Sequence, residues 1–193
     1  MTRGTDTRQR ILRAAATLFR QQGYNGTGLN QILAHSSAPR GVLYFHYPGG
    51  KQQLASESIT LAGRELSTRM VAALAGAPDA QTGIVRLGEL FARILEDSEF
   101  REGCPVATVA LEAAADSEPV RSACDTTYSV WLQGLTNYLR GHGVSEIQAG
   151  PLASMVLSAL QGALLLARVQ RDTAVVHTIT QQLADLVGQA TRS

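Results

Sequence analysis

Between Gly23 and Lys51 the chain reads GYNGTGLNQILAHSSAPRGVLYFHYPGGK, and this stretch decides the fold. Before it, residues 5–22 place Ile11, Ala15, Leu18 and Phe19 on one face at helical spacing, and Gly23 closes that helix. Leu29 to His35 fits a second, short helix with Thr27 as its N-cap. Ser36-Ser37-Ala38 is a turn. Pro39 suits the first position of a third helix, where its missing N–H costs nothing. That helix runs to about Tyr47 and must stop before Pro48-Gly49-Gly50. Helix, tight turn, helix is the spacing of a helix-turn-helix, whose second helix enters the major groove of DNA.

Side chains on the third helix sharpen the reading. Arg40 lies in its first turn, where an arginine can pair with O6 and N7 of guanine. Gly41 has no Cβ and lets the backbone come close to DNA. Tyr44, Phe45, His46 and Tyr47 crowd a nine-residue helix, so some of these rings should be exposed. Exposed Tyr and His can hydrogen-bond phosphate oxygens.

The rest of the chain is helical in pattern. Segments 51–75, 80–98, 104–116, 119–140, 146–171 and 174–191 fit helices. Gly76-Ala77-Pro78, Glu102-Gly103, Ser117-Glu118 and Gly141-His142-Gly143 are the breaks between them. About nine helices and no strand alternation give an all-α fold. The chain has 193 residues, with 45% hydrophobic and 17% charged, which excludes disorder. Its longest strongly apolar run, Ala163 to Ala167, is too short to cross a bilayer, so no membrane partner is expected. An Arg-rich amphipathic start is no signal core, and two cysteines make no disulfide framework. A cytoplasmic protein is expected. The net charge of +1 hides an asymmetry: residues 1–51 hold seven basic side chains and one acidic, the remainder 10 and 15. A basic segment on an acidic body points to a polyanion for that segment alone, or to a solvated cationic helix.

The stretches Gly23-Tyr24-Asn25-Gly26-Thr27-Gly28-Leu29 and Ala38 to Lys51 resemble the N-terminal domain of the TetR family, bacterial transcriptional regulators that are usually repressors. The Ala-Pro-Arg-Gly and Pro-Gly-Gly-Lys wording, with Gly103-Cys104-Pro105-Val106 later, is similar to a subgroup linked to drug-responsive control. The resemblance implies a helix-turn-helix domain over residues 1–50 and an effector-binding and dimerisation domain over 51–193. It implies phosphate contacts at Thr27, Tyr44, His46 and Lys51, base reading at Arg40 and Gly41, and a core place for Tyr47. Two positions depart from the family pattern. Pro39 replaces the usual hydroxyl residue, leaving the third helix capped by Ser37 or by nothing. Val42 replaces Ser or Thr, and it can touch a thymine methyl but not hydrogen-bond a base. Phe45 sits among these DNA-facing residues with its role open. Arg3, Arg8 and Arg10 form either a mobile solvated arm or a reach to phosphate or minor groove.

Segment 152–169 is apolar nearly all round, and Val176, Ile179, Leu183, Leu186 and Val187 share a face of the last helix. The resemblance implies that 146–171 and 174–191 pair with their copies across a twofold axis, giving a homodimer on a palindromic double-stranded DNA operator. Helices over 80–140 would enclose a largely apolar pocket for a small effector. Its candidate lining is Phe91, Leu95, Phe100, Cys104, Leu111, Tyr128, Trp131, Leu135 and Met155, each of which also reads as ordinary core. No cofactor and no metal site are expected, and the motifs of hydrolases, zinc proteases and phosphate loops do not occur. The expected protein is a ligand-released repressor. The alternative is a DNA-binding regulator without a small-molecule effector, an activator or one controlled by a protein partner.

Overall fold

A computed structural model describes residues 3–192, with side chains from Asp6 onward except that of Arg40. The described residues form nine α-helices, one 3-10 turn and no strand: α1 Arg3–Gln22, α2 Leu29–Ser36, the 3-10 turn Arg40–Val42, α3 Leu43–His46, α4 Gly50–Leu74, α5 Ala80–Asp97, α6 Pro105–Ala113, α7 Glu118–Gly141, α8 Glu146–Gln170 and α9 Ala174–Ala190. Glycines end helices where the sequence places them. Gly23 and Gly76 take φ of 77° and 66°, conformations that side chains with a Cβ resist. Asp79 caps α5 by accepting the Thr82 N–H at 2.7 Å, and that bond holds its carboxyl below the usual range.

The helices sort into two compact units. The first holds residues up to Glu65 together with Cys104–Thr127, and the second holds Leu66–Gly103 and Tyr128–Ser193. Contacts therefore divide the chain otherwise than at residue 50, because the first half of α4, all of α6 and the start of α7 pack with the head.

In the first unit, Ile11, Ala15, Leu18 and Phe19 of α1 meet Ile32 and Leu33 of α2, Leu43 and Tyr47, all buried. α4 and α7 approach closely at Gly63, where a Cβ would collide with the Thr127 methyl. Cys104 and Cys124 are buried thiols in this unit. Burial, and then Cys104, push the Cys124 thiol up to about 11, so it stays protonated and inert near neutral pH.

In the second unit, α5 lies against α9 and α8. Small residues permit the approach: a Cβ on Gly88 would strike Thr180, and one on Gly188 would strike Gln81. Val176, Leu183 and Val187 of α9 are buried, so the apolar face of the last helix serves the chain's own core. α8 is different. Leu152, Val156, Leu160 and Leu164 are buried, while Ile147, Met155, Leu165, Leu166 and Val169 are exposed on the opposite side. By length and composition α8 is apolar enough to cross a membrane, contrary to the reading from its longest apolar run. Its seating against α9 and α5 is that of a core helix with one apolar face left open.

Candidate nucleic-acid interface

Two local rules shape the helix-turn-helix. Ser37 adopts φ of 52° and sends its N–H to Ala34 O at 3.2 Å, ending α2. Pro39 then holds extended backbone, and its carbonyl accepts the Val42 N–H at 3.2 Å, closing a 3-10 turn. No side chain caps this turn, Ser37 included. The third helix is thus shorter than its nine-residue expectation: four α-helical residues follow one 3-10 turn. Gly41 favours neither α-helix nor strand, and three residues after a proline suffice for a single i to i+3 bond.

The short helix divides cleanly into an anchor and a display face. Leu43 and Tyr47, four apart, are buried. Tyr47 donates its hydroxyl to Arg8 O at 2.8 Å. The Arg8 guanidinium stands 4.9 Å from the centre of the Tyr47 ring and pairs with Glu57 at 2.6 Å, and Gln53 also donates to Glu57 at 3.0 Å. Burial raises the Tyr47 phenol to about 12; Arg8 opposes the shift and Glu57 adds to it. Arg8 is therefore a clamp within the head and not part of an arm. Arg3 lies outside the described side chains.

On the other face, Tyr44 is 65% exposed and Phe45 82%. His46 is half-buried, edge-on to Phe45 at 5.0 Å. Val42 is half-buried and Gly41 exposed. A Cβ built on Gly41 meets nothing within 4 Å. Among the described residues nothing requires glycine there. The Arg40 side chain lies outside the described residues, although its backbone opens the 3-10 turn.

Thr27 departs from its expected role. It is fully buried and donates its hydroxyl to Gly23 O at 2.7 Å, while Gly28 occupies the N-cap of α2. A hydroxyl spent inside the α1–α2 turn has no surface to offer a phosphate. Lys51 opens α4 and lies over the Tyr24 ring, its ammonium 4.4 Å from the ring centre. Burial lowers its pKa and Glu112 counters that shift.

Glu112 of α6 is the residue that sequence reasoning missed. Its carboxylate accepts the Asn25 N–H at 2.6 Å and covers Gly23. It joins α6 to the turn before α2 across 87 positions of sequence, and no local pattern announces such a contact.

The candidate effector residues do not gather around one described cavity. Phe91, Leu95, Trp131 and Leu135 are buried in the second unit, where Tyr128 meets Trp131 edge-on at 5.5 Å. Phe100 is half-buried in a turn at φ of 59°. Cys104 and Leu111 fall in the first unit. Leu111 is 85% exposed and Met155 52%, so in the single chain both lie on the surface, on the solvent sides of α6 and α8. Clefts of about 410 and 400 Å3 occur in the first unit, lined by other residues. The first cleft lies among Leu12, Ser56, Thr60, Arg64, Pro119 and Ser122. Among the described residues, no three His, Cys, Asp or Glu side chains group as metal ligands do.

Comparison with known proteins gives the family. Residues 11–58 match the bacterial regulatory proteins of the tetR family. Residues 80–182 match the C-terminal domain of LmrA/YxaF-like transcriptional regulators. The chain is 35% identical to the HTH-type transcriptional regulator LmrA of Bacillus subtilis, over 94% of this chain and 97% of that protein. It is 33% identical to YxaF, another HTH-type regulator of that organism, over 97% and 98%. A TetR transcriptional regulator from Chloroflexus aurantiacus superposes with a TM-score of 0.83 at 26% identity, covering 98% of both chains.

Proposed function

The chain belongs to the TetR family and is a DNA-binding transcriptional regulator, not an enzyme; from that premise we propose that it is a cytoplasmic repressor, binding a palindromic operator as a homodimer and released by a small, largely apolar effector. Regulators of this family bind DNA operators and act as dimers.

In this reading Arg40, Gly41 and Val42 meet base edges. Tyr44, His46 and Lys51 meet phosphates, and Phe45 packs against the groove wall. Thr27 serves only the fold. The observation that carries the reading is the display face of α3. Two large aromatic side chains stand in water beside a glycine that none of the described residues requires. An exposed ring pair on a four-residue helix gains nothing for stability, since burial is what makes aromatics favourable.

The dimer would use the open face of α8, where Ile147, Met155, Leu165, Leu166 and Val169 lie exposed. Gly150, Ser154, Ser158 and Gly162 share its exposed or half-exposed side and allow close approach. α9 would contribute its polar side, with Leu186, because its apolar face is occupied by α5. Two heads about 34–36 Å apart read successive major grooves. An effector that prefers a wider spacing lowers DNA affinity by its differential affinity for the two spacings. α4 is the lever, one continuous helix from Gly50 beside α3 to Leu74.

Footprinting on the DNA upstream of the protein's own gene, with stoichiometry from sedimentation, tests this. A protected palindrome holding an even number of chains supports it. Protection of a single half-site by one chain refutes it. Binding that survives every apolar ligand in a broad screen favours the regulator without small-molecule effector.

A further inference from the structure

The head carries a second basic surface that the reading helix does not use. Arg10, Arg13, Ala14 and Thr17 of α1, with His35, Ser36 and Ser37 at the end of α2, line a cleft of about 400 Å3. No carboxylate lines it. Arg10 makes a 3.5 Å pair with Asp6 and a 3.3 Å bond to Thr7 Oγ1, both exposed and therefore weak. Arg13, His35 and the Ser37 hydroxyl have no hydrogen bond or ion pair within the chain among the described residues. The two arginines thus stand on one side of a polar cleft, Arg13 without a counter-charge and Arg10 with only the exposed Asp6 beside it. Two other cations of the head are engaged within the chain: Arg8 by Glu57 and Lys51 by the Tyr24 ring.

Position identifies the anion. Ser37 stands three residues before Arg40, so the cleft begins within about 11 Å of the base-reading turn along the chain. The major groove is about 12 Å wide and 8.5 Å deep. A surface within that distance of the groove floor is close enough to contact the phosphates on its rim. We propose that this cleft binds a phosphate of the DNA backbone at the edge of each half-site, with Arg10 and Arg13 as charged donors and Ser37 and His35 as hydrogen-bonding partners. The contact neutralises charge and carries no sequence information. It rests on the DNA-binding reading above but not on the assignment of the bases.

The test uses the full-length protein and its Arg10→Gln, Arg13→Gln and double variants, with circular dichroism to confirm unchanged folding. Affinity is measured against salt on two duplexes of equal length, the DNA upstream of the gene and a scrambled one. Each lost phosphate contact lowers the slope of log K on log salt by about 0.9, which is about 3.5-fold in affinity between roughly 50 and 200 mM salt. The double variant loses one contact in each of the dimer's two half-sites, so its slope should fall by about 1.8, roughly 12-fold over that salt range, on both duplexes, and the change should vanish when the duplex is cut back to remove the flanking phosphates. Inorganic phosphate, titrated at constant ionic strength, supplies the other arm. Saturable stabilisation by phosphate that the variants abolish, with an unchanged DNA slope, identifies a free-anion site and overturns the DNA assignment. Equal slopes and affinities for wild type and double variant, with no phosphate effect, overturn the cleft altogether. Failure of the wild type to bind either duplex strikes the DNA-binding reading instead.

Discussion

Substituting Gly23 by alanine should cost the head more than its conformation alone explains, and the excess should disappear when Glu112 is also removed. Gly23 sits at φ of 77°, where an L-residue is disfavoured by about 1–2 kcal/mol. Its new Cβ would fall inside the Glu112 carboxylate. A carboxylate is the far end of a flexible side chain, so it swings aside at little steric cost. In doing so it releases the Asn25 N–H, now held at 2.6 Å. Hydrogen bonds to charged groups contribute about 1.5–3 kcal/mol when shielded, and this exposed one belongs near ~1 kcal/mol. Gly23→Ala should therefore destabilise by about 2–3 kcal/mol and Glu112→Ala by ~1 kcal/mol, while the double variant should lose no more than Gly23→Ala alone. Urea unfolding followed by far-ultraviolet circular dichroism, at fixed protein concentration, measures the cycle. Exchange of the Asn25 amide reads the bond directly. Additivity within about 0.5 kcal/mol, or an Asn25 amide unaffected by Glu112→Ala, would refute the reasoning.

Other substitutions probe other contacts. Tyr47→Phe removes the hydroxyl bond to Arg8 O and should cost ~1 kcal/mol at neutral pH. The phenol titrates at about 12 in the fold against an ordinary value of 10. A raised folded pKa gives stability that is full below pH 10 and lost as pH rises towards 12, so the variant should flatten the alkaline limb of a stability-versus-pH curve. Gly88→Ala gains helix propensity but drives a methyl into Thr180, whose hydroxyl is bonded to Val176 O at 2.6 Å; thermal unfolding should show a net loss of about 1–2 kcal/mol, largely relieved by adding Thr180→Ala. Leu165→Lys on the open face of α8 should leave the chain folded but monomeric by sedimentation, with operator affinity reduced at least tenfold. Gly41→Ala should leave stability unchanged, because the site is open, yet weaken operator binding in a gel-shift titration.

Much of this was legible because the punctuation is strong. Gly23, Gly76 and the Gly141–Gly143 segment break the helical period where the helices end, and expected and observed bounds differ by a residue or two for most elements. α6 stops at Ala113, three residues before its expected end. The third helix was overextended because periodicity over nine residues cannot separate an α-helix from a 3-10 turn followed by one α-turn. Thr27 looked like a cap because its hydroxyl suits one, and only the packed turn shows that hydroxyl spent on Gly23 O. The faces of α9 were visible as a stripe, but a stripe does not say whether it meets its own α5 or a second chain. Glu112 and the Arg8–Glu57 pair join positions 87 and 49 residues apart. Such contacts leave no trace in local sequence. Helical position alone places Leu111 and Met155 as readily inside as outside, and both are exposed.

If α3 and its preceding turn read DNA, substitutions there must change both affinity and sequence preference. The most direct test is a salt series of binding to the duplex upstream of the gene and to a scrambled duplex, for wild type, Arg40→Ala and Tyr44→Ala. Arg40→Ala should lose about 1–3 kcal/mol of preference for the first duplex over the second. Tyr44→Ala should weaken binding to both duplexes alike. Full preference retained in Arg40→Ala, together with undiminished affinity in Tyr44→Ala, would contradict that role for α3.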